Sequence, residues 1–235
     1  MSYFDSSKMG KPSYEYVAWI DLMGTRETMQ ETIDKSANFI FKFHATALTC
    51  LPSTTKIVLY PVMDGIYVTS TSKNPFIDYL CNIFFECSKD FCTADVRFCY
   101  LIKGAIAFGP IYHGKNVPAE ANYVFSKYEN YKNSLLLGLP MIQAFLGEKS
   151  APPFGLYIDE SARSFAPSSQ TPLGNRWYRW DKNKLLQSKG LGDITKFKHK
   201  MNQYFDYMEK HHIQNNYPLS DIAKHREMFE DFFGE

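Results

Sequence analysis

The sequence has no long hydrophobic run. No window approaches the roughly 18 apolar residues that a membrane-spanning helix needs, and the opening MSYFDSSKMGKPSYEY holds no apolar stretch of signal-peptide length. A cytoplasmic protein that does not enter a membrane is expected. Charge of one sign is equally scarce: 26 Lys and Arg stand against 25 Asp and Glu, so no global field recruits nucleic acid or an anionic membrane. The cysteines Cys50, Cys81, Cys87, Cys92 and Cys99 form an odd set without a CxxC pair, which argues against a disulfide framework and a structural zinc site. Internal repeats and low-complexity tracts are also missing.

What is present is core-forming material. With 45% hydrophobic side chains in 235 residues, the chain can fill one sizeable core and is short for two. The expected organisation is one domain over 1–235, with its core at about 14–182 and C-terminal helices at about 193–233.

Tyr16 to Ile20 is a continuous apolar run of the kind found in a buried strand, and it stops at Asp21. From Thr25 to about Leu48 the apolar residues recur at mostly helical spacing, predicting one long helix. Lys56 to Val62 and Gly65 to Thr69 are β-rich runs around Met63-Asp64-Gly65, a tight hairpin in which Asp-Gly suits the turn. A helix over Pro75 to Asp90 and a strand over Val96 to Tyr112 follow. His113 to Lys132 reads as an elaborated loop, Gly138 to Glu148 as a helix and Leu156 to Ile158 as a strand. Arg176 to Trp180 reads as a last strand before two amphipathic helices, about Asp193 to His212 and Leu219 to Phe233. The order β-α-β-β-α-β describes an α+β, ferredoxin-like fold with helices on one face of an antiparallel sheet.

In that topology the first strand and the hairpin are central neighbours, so Asp21 and Asp64 converge. Two hard carboxylates, with a backbone carbonyl beside Asp21 (Ile20 or Leu22), suit Mg²⁺ or Mn²⁺ when triphosphate oxygens complete the shell. Two ions per site would activate a ribose 3′-hydroxyl and neutralise phosphate charge during in-line displacement of pyrophosphate. Asp64 also reads as a plain turn residue. Asp21 is harder to explain that way, because a carboxylate ending an apolar strand needs a partner or a metal.

Four segments carry a resemblance. VAWIDLMGTRETM resembles the metal-binding strand of class III nucleotidyl cyclases, and YPVMDGIYVTS their second metal site, with Met63 where most members have Gly. LIKGAIAFGPIYHG is similar to the strand that carries a basic residue and two glycines. GLPMIQAFLGEKSAPPFGLYID is similar to their helix and following strand, with Gly138, Ala144 and Glu148 at matching places. The likeness covers about residues 16–160.

What the resemblance implies is a homodimer of head-to-tail subunits in which metals held by one copy meet a base pocket completed by the other. The positions of the family's ribose-orienting Asn and transition-state Arg hold Ile142 and Leu146, neither of which donates a hydrogen bond. Similar losses occur in the bacterial pyrimidine cyclases of Pycsar antiphage defence, whose short one-domain architecture this chain matches. Lys103, Arg97, Lys127 and Lys132 are the candidates to supply phosphate charge. The two purine-reading positions hold Tyr60 and Leu135, which points to a pyrimidine and, with Tyr60, to UTP ahead of CTP. The product, cyclic UMP, would act through a separate cyclic-nucleotide-binding effector. The other readings are a non-catalytic cyclase-fold module that binds a nucleotide or a partner, and a palm enzyme of the diguanylate-cyclase kind, for which no GG[DE]EF-like hairpin is present.

Trp177, Tyr178 and Trp180 beside Arg176 and Arg179 suit either a nucleobase or a strand with one packed face. His211-His212 lacks the companions of a metal site.

Overall fold

The computed structural model describes residues 4–53, 56–167, 169–188 and 194–234. In chain order the elements are β1 (Ser13–Met23), α1 (Thr25–Glu31), α2 (Ile33–Thr49), β2 (Val58–Val62), β3 (Gly65–Ser70), α3 (Lys73–Thr93), β4 (Leu101–His113), α4 (Tyr123–Lys127) and α5 (Glu129–Asn133). There follow β5 (Leu136–Leu137), α6 (Leu139–Gly147), β6 (Leu156–Ile158), α7 (Glu160–Ser164), β7 (Trp177–Tyr178), α8 (Lys184–Ser188), α9 (Thr195–Lys210) and α10 (Leu219–Phe233).

The strands form one sheet in the order β2-β3-β1-β4-β6-β7, with β5 beside β4. The first four strands give the antiparallel ferredoxin-like order, and β6 joins β4 in parallel. The fold is therefore α+β, as the element order implied. Alternation along β1 explains how the sheet is sandwiched. Tyr16, Ala18, Ile20 and Leu22 enter the main core with Phe39 and Phe43 of α2 and Phe84 of α3, whereas Val17 and Trp19 belong to small clusters on the opposite face. That opposite face is not bare: α6 lies across it, with Ala144 against Trp19 and Ala107.

Two local differences from the sequence expectation, and one detail of the hairpin, have physical causes. The helix expected from Thr25 to Leu48 is broken, because Thr32 adopts an extended conformation and its hydroxyl accepts the Lys35 amide as the N-cap of α2. The strand expected from Val96 begins only at Leu101, after a 3₁₀ turn capped by Asp95. In the hairpin, Val62 pairs with Gly65, so Met63 and Asp64 are the turn residues and Met63, not a glycine, takes positive φ (55°). Gly65 is needed elsewhere: a Cβ there would lie 2.3 Å from the Trp19 ring and 2.9 Å from the Ile20 carbonyl oxygen.

The segment from Arg176 to Trp180 supplies only a two-residue strand. Trp180 is fully buried and donates its indole N–H to the Phe154 carbonyl (2.7 Å). Arg179 stacks on Phe232 and Phe233 of α10. This aromatic group packs the C-terminal helices to the core, which accounts for those side chains without a nucleobase. The five cysteines are free thiols, and no helix among the described residues is long and apolar enough to cross a membrane.

Candidate functional site

Asp21 sits near the end of the central strand, on the face opposite α2 and α3. Its neighbour across β4 is Lys103, and on its other side the β1–β3 ladder ends at Ile20 and Ile66, beside the Asp64 turn. The Leu22 amide donates to Asp21 Oδ1 (3.0 Å). Burial, and then the negative charges of Asp64 and Glu148, push the Asp21 carboxyl up to about 7, only partly offset by that amide and by Lys103. Among the described residues, neither Asp21 nor Asp64 is in an ion pair.

Glu148 was quoted in the sequence only as a matching position. In the structure it is buried at the end of α6 and pairs with Lys103 at 2.9 Å, with the two side chains only 11% and 15% exposed. Lys103 is therefore a paired cation lying beside Asp21. Sequence reading could have found Glu148 only as an unexplained acidic residue on an otherwise apolar helix.

The pair of aspartates meets the donor requirements of a hard divalent cation: oxygen ligands, mutual repulsion that a cation relieves, and an adjacent carbonyl. The missing side chain at Gly65 lets its backbone lie close against the Trp19 ring and the carbonyl of the fully buried Ile20. The Leu22 carbonyl accepts the Thr25 hydroxyl (3.3 Å). No group of three or more His, Cys, Asp or Glu side chains suited to a metal occurs among the described residues, so the arrangement is an open two-carboxylate cradle. Substrate oxygens would have to complete it.

The other residues singled out in the sequence lie elsewhere. Arg97 is exposed, forks onto Asp95 (2.9 and 3.1 Å) and lines a separate cavity of about 230 Å³ between the β1–α1 turn and the C-terminal helices. Lys127 is exposed over the Tyr123 ring. Tyr60, Leu135 and Lys132 gather around His113 and Gly114, where the Leu135 carbonyl accepts the Gly114 amide and a Cβ on Gly114 would strike the Lys132 carbonyl. Ile142 and Leu146 are 57% and 55% exposed on the outer side of α6.

Tyr60 is buried and belongs to a polar chain. Ser13 donates to Glu15, Glu15 bonds His113 Nε2 (2.9 Å), and His113 Nδ1 bonds the Tyr60 hydroxyl. Burial alone would raise the Glu15 carboxyl, but hydrogen bonds from His113 and Ser13 hold it below the ordinary range. An ionised Glu15 can only accept, which places an imidazole proton on Nε2, and Nδ1 shares the second hydrogen bond with the Tyr60 hydroxyl. Burial and the Glu15 charge push the phenol up to about 12.

No family model and no curated protein matches the chain. Solved structures with a similar backbone include cyclase domains. The monomeric guanylyl cyclase domain of the RhoGC fusion protein from the aquatic fungus Blastocladiella emersonii aligns at 13% identity, over 66% of this chain and 85% of its own, with a TM-score of 0.45. The guanylate cyclase domain of RhGC from Catenaria anguillulae, solved with GTP, aligns at 11% over 65% and 81%, with a TM-score of 0.43. The guanylyl cyclase Cya2 gives 10% over 63% and 77%, with a TM-score of 0.46.

Proposed function

We propose that the protein is a nucleotide cyclase that converts a pyrimidine nucleoside triphosphate, UTP ahead of CTP, into its 3′,5′-cyclic monophosphate and pyrophosphate. The observation that carries the reading is the convergence of two unpaired carboxylates, Asp21 and Asp64, at the end of a buried strand beside a cation, Lys103. A fold that tolerates such repulsion gains nothing from it unless a cation comes to the site.

In this reading Asp21 and Asp64, with a backbone carbonyl beside Asp21 (Ile20 or Leu22), would hold two Mn²⁺ or Mg²⁺ ions, which would supply Lewis-acid stabilisation of phosphate charge and a more acidic 3′-hydroxyl. Lys103 contributes positive charge toward the triphosphate. The ribose 3′-oxygen attacks the α-phosphorus as its proton passes to water, the bond between the α-phosphorus and the oxygen bridging to the β-phosphate breaks, and pyrophosphate leaves. The pyrimidine assignment rests on Tyr60 and Leu135 standing at the purine-reading positions of the cyclases that the sequence resembles. A role in antiphage signalling through a separate cyclic-nucleotide-binding effector rests on the same resemblance to the bacterial pyrimidine cyclases.

A dimer is part of the proposal. Leu139, Ile142 and Leu146 on α6 and Met63 at the hairpin tip are 55–83% exposed, more apolar surface than one copy has use for. A fully active monomer at micromolar concentration would rule this out. The exposed Ile142 and Leu146, which cannot orient a ribose, favour the second reading, a non-catalytic module that binds nucleotide or partner.

The test is to incubate pure protein with ATP, GTP, CTP or UTP and Mn²⁺ and identify products by mass. Cyclic UMP is expected, lost by orders of magnitude in Asp21→Asn and Asp64→Asn. A purine product of equal or greater yield would refute the base assignment, nucleotide binding without any product would favour the second reading, and near-normal turnover in either variant would refute the metal assignment.

A further inference from the structure

Lys103 and Asp21 are directly opposed on adjacent antiparallel strands and share a sheet face. Side chains so placed stand about 4.5–5.5 Å apart at Cβ, and opposite charges there pair readily. Yet these two make no ion pair. The Lys103 ammonium instead lies 2.9 Å from Glu148 Oε1, at the C-terminal end of α6, while the Asp21 carboxylate takes only the Leu22 amide. Both candidate acceptors are carboxylates, and the Lys103 charge reaches Asp21 as well. What differs is the element that carries them: α6 crosses β4 and β1, with Ala144 and Phe145 against Trp19 and Ala107, and this packing fixes Glu148 over Lys103.

We propose that Glu148 is a positioning residue that holds Lys103 off Asp21, keeping the Asp21–Asp64 cradle open for a divalent cation. The inference rests on the metal reading given above. Without Glu148, the ammonium swings along its own side chain to the carboxylate opposite it and competes with the cation for the same oxygens. The same tether aims Lys103 from a fixed point, so a triphosphate meets a cation already beside the site.

The deciding experiment is a crystal structure of metal-free Glu148→Gln, with Mn²⁺ binding measured by electron paramagnetic resonance for wild type, Asp21→Asn, Glu148→Gln and Glu148→Gln/Lys103→Gln. Losing the Glu148 charge would weaken Mn²⁺ binding through space without moving Lys103, so the position of the ammonium is the discriminating readout. The expected result is Lys103 Nζ within hydrogen-bonding distance of Asp21, Mn²⁺ affinity reduced at least about tenfold, and recovery to within about threefold of wild type in the double variant, where the intruding cation is gone. If Glu148→Gln does not fold, Glu148→Asp serves, with a shortened tether and a smaller loss rescued by Lys103→Gln. A lysine that stays away from Asp21, or an affinity that the second substitution does not restore, overturns the inference alone. Absence of Asp21-dependent Mn²⁺ binding in the wild type overturns the metal reading and the inference with it.

Discussion

Replacing Asp21 by Asn should stabilise the metal-free protein at alkaline pH while abolishing the proposed activity. The carboxyl is pushed up to about 7 from the ordinary value near 3.9, so the folded state holds its proton where the unfolded state has lost it. Below about pH 4 both states are protonated and the side chain has no effect on stability. As pH rises toward 7 the unfolded chain alone ionises, stability falls, and above 7 the loss is complete. At about 1.4 kcal/mol for each tenfold the full cost is on the order of 4 kcal/mol, and relaxation and residual solvent reduce this to about 2–3 kcal/mol. The Asn variant keeps the volume and the hydrogen bond from Leu22 without the charge. For a chain of this size its melting temperature at pH 8 without metal should exceed the wild type's by roughly 5–12 °C, with the gain vanishing near pH 4. Added Mn²⁺ should raise the wild type and leave the variant unchanged. Calorimetry across pH 4–9 decides this, and a variant less stable than wild type at pH 8 would show that Asp21 is held by compensating contacts and not strained.

Three further outcomes follow from the same geometry. Met63→Gly relieves the positive φ of the hairpin and should gain about 0.5–1 kcal/mol in chemical denaturation; no gain would mean that the exposed turn relaxes in solution. Gly65→Ala forces a Cβ onto the Trp19 ring and the Ile20 carbonyl and should cost about 3 kcal/mol or prevent folding, so a variant of wild-type stability would contradict the close approach. Tyr60→Phe leaves His113 Nδ1 buried without its hydrogen-bond partner and should cost about 1–3 kcal/mol in denaturant titration, whereas an unchanged midpoint would mean that the hydroxyl is spent on something other than His113.

The central strand was legible because burial on both faces requires an unbroken apolar run, and Tyr16 to Ile20 supplies one, although pairing with β4 carries the strand past Asp21 to Met23. The hairpin was legible in its bounds, one strand closing at Val62 and the next opening at Gly65, but not in the conformation of its turn. Asp-Gly looks like the turn, and only the Trp19 ring packed over Gly65 shows why the glycine lies in the strand and Met63 takes the strained position. Thr32 was missed as a helix break because its neighbours keep helical spacing while its hydroxyl caps the following turn. Tyr60 was singled out from its place before Asp64, with no sign that residues 45 and 53 positions away would bury it in a chain ending at Glu15.

By itself the sequence determined the α+β element order, the lack of a disulfide pattern, and the presence of Asp21 on a strand and Asp64 in a hairpin turn that such an order makes neighbours. These are local properties: periodicity, turn chemistry and the incompatibility of a lone carboxylate with an apolar run. The tertiary structure decided which charges meet. Lys103 faces Asp21 across one strand pair yet answers to Glu148, 45 residues later, because α6 folds back over the sheet. An ion pair depends on distances of a few ångströms, which no spacing along the chain encodes until the packing of a helix against a sheet has set them.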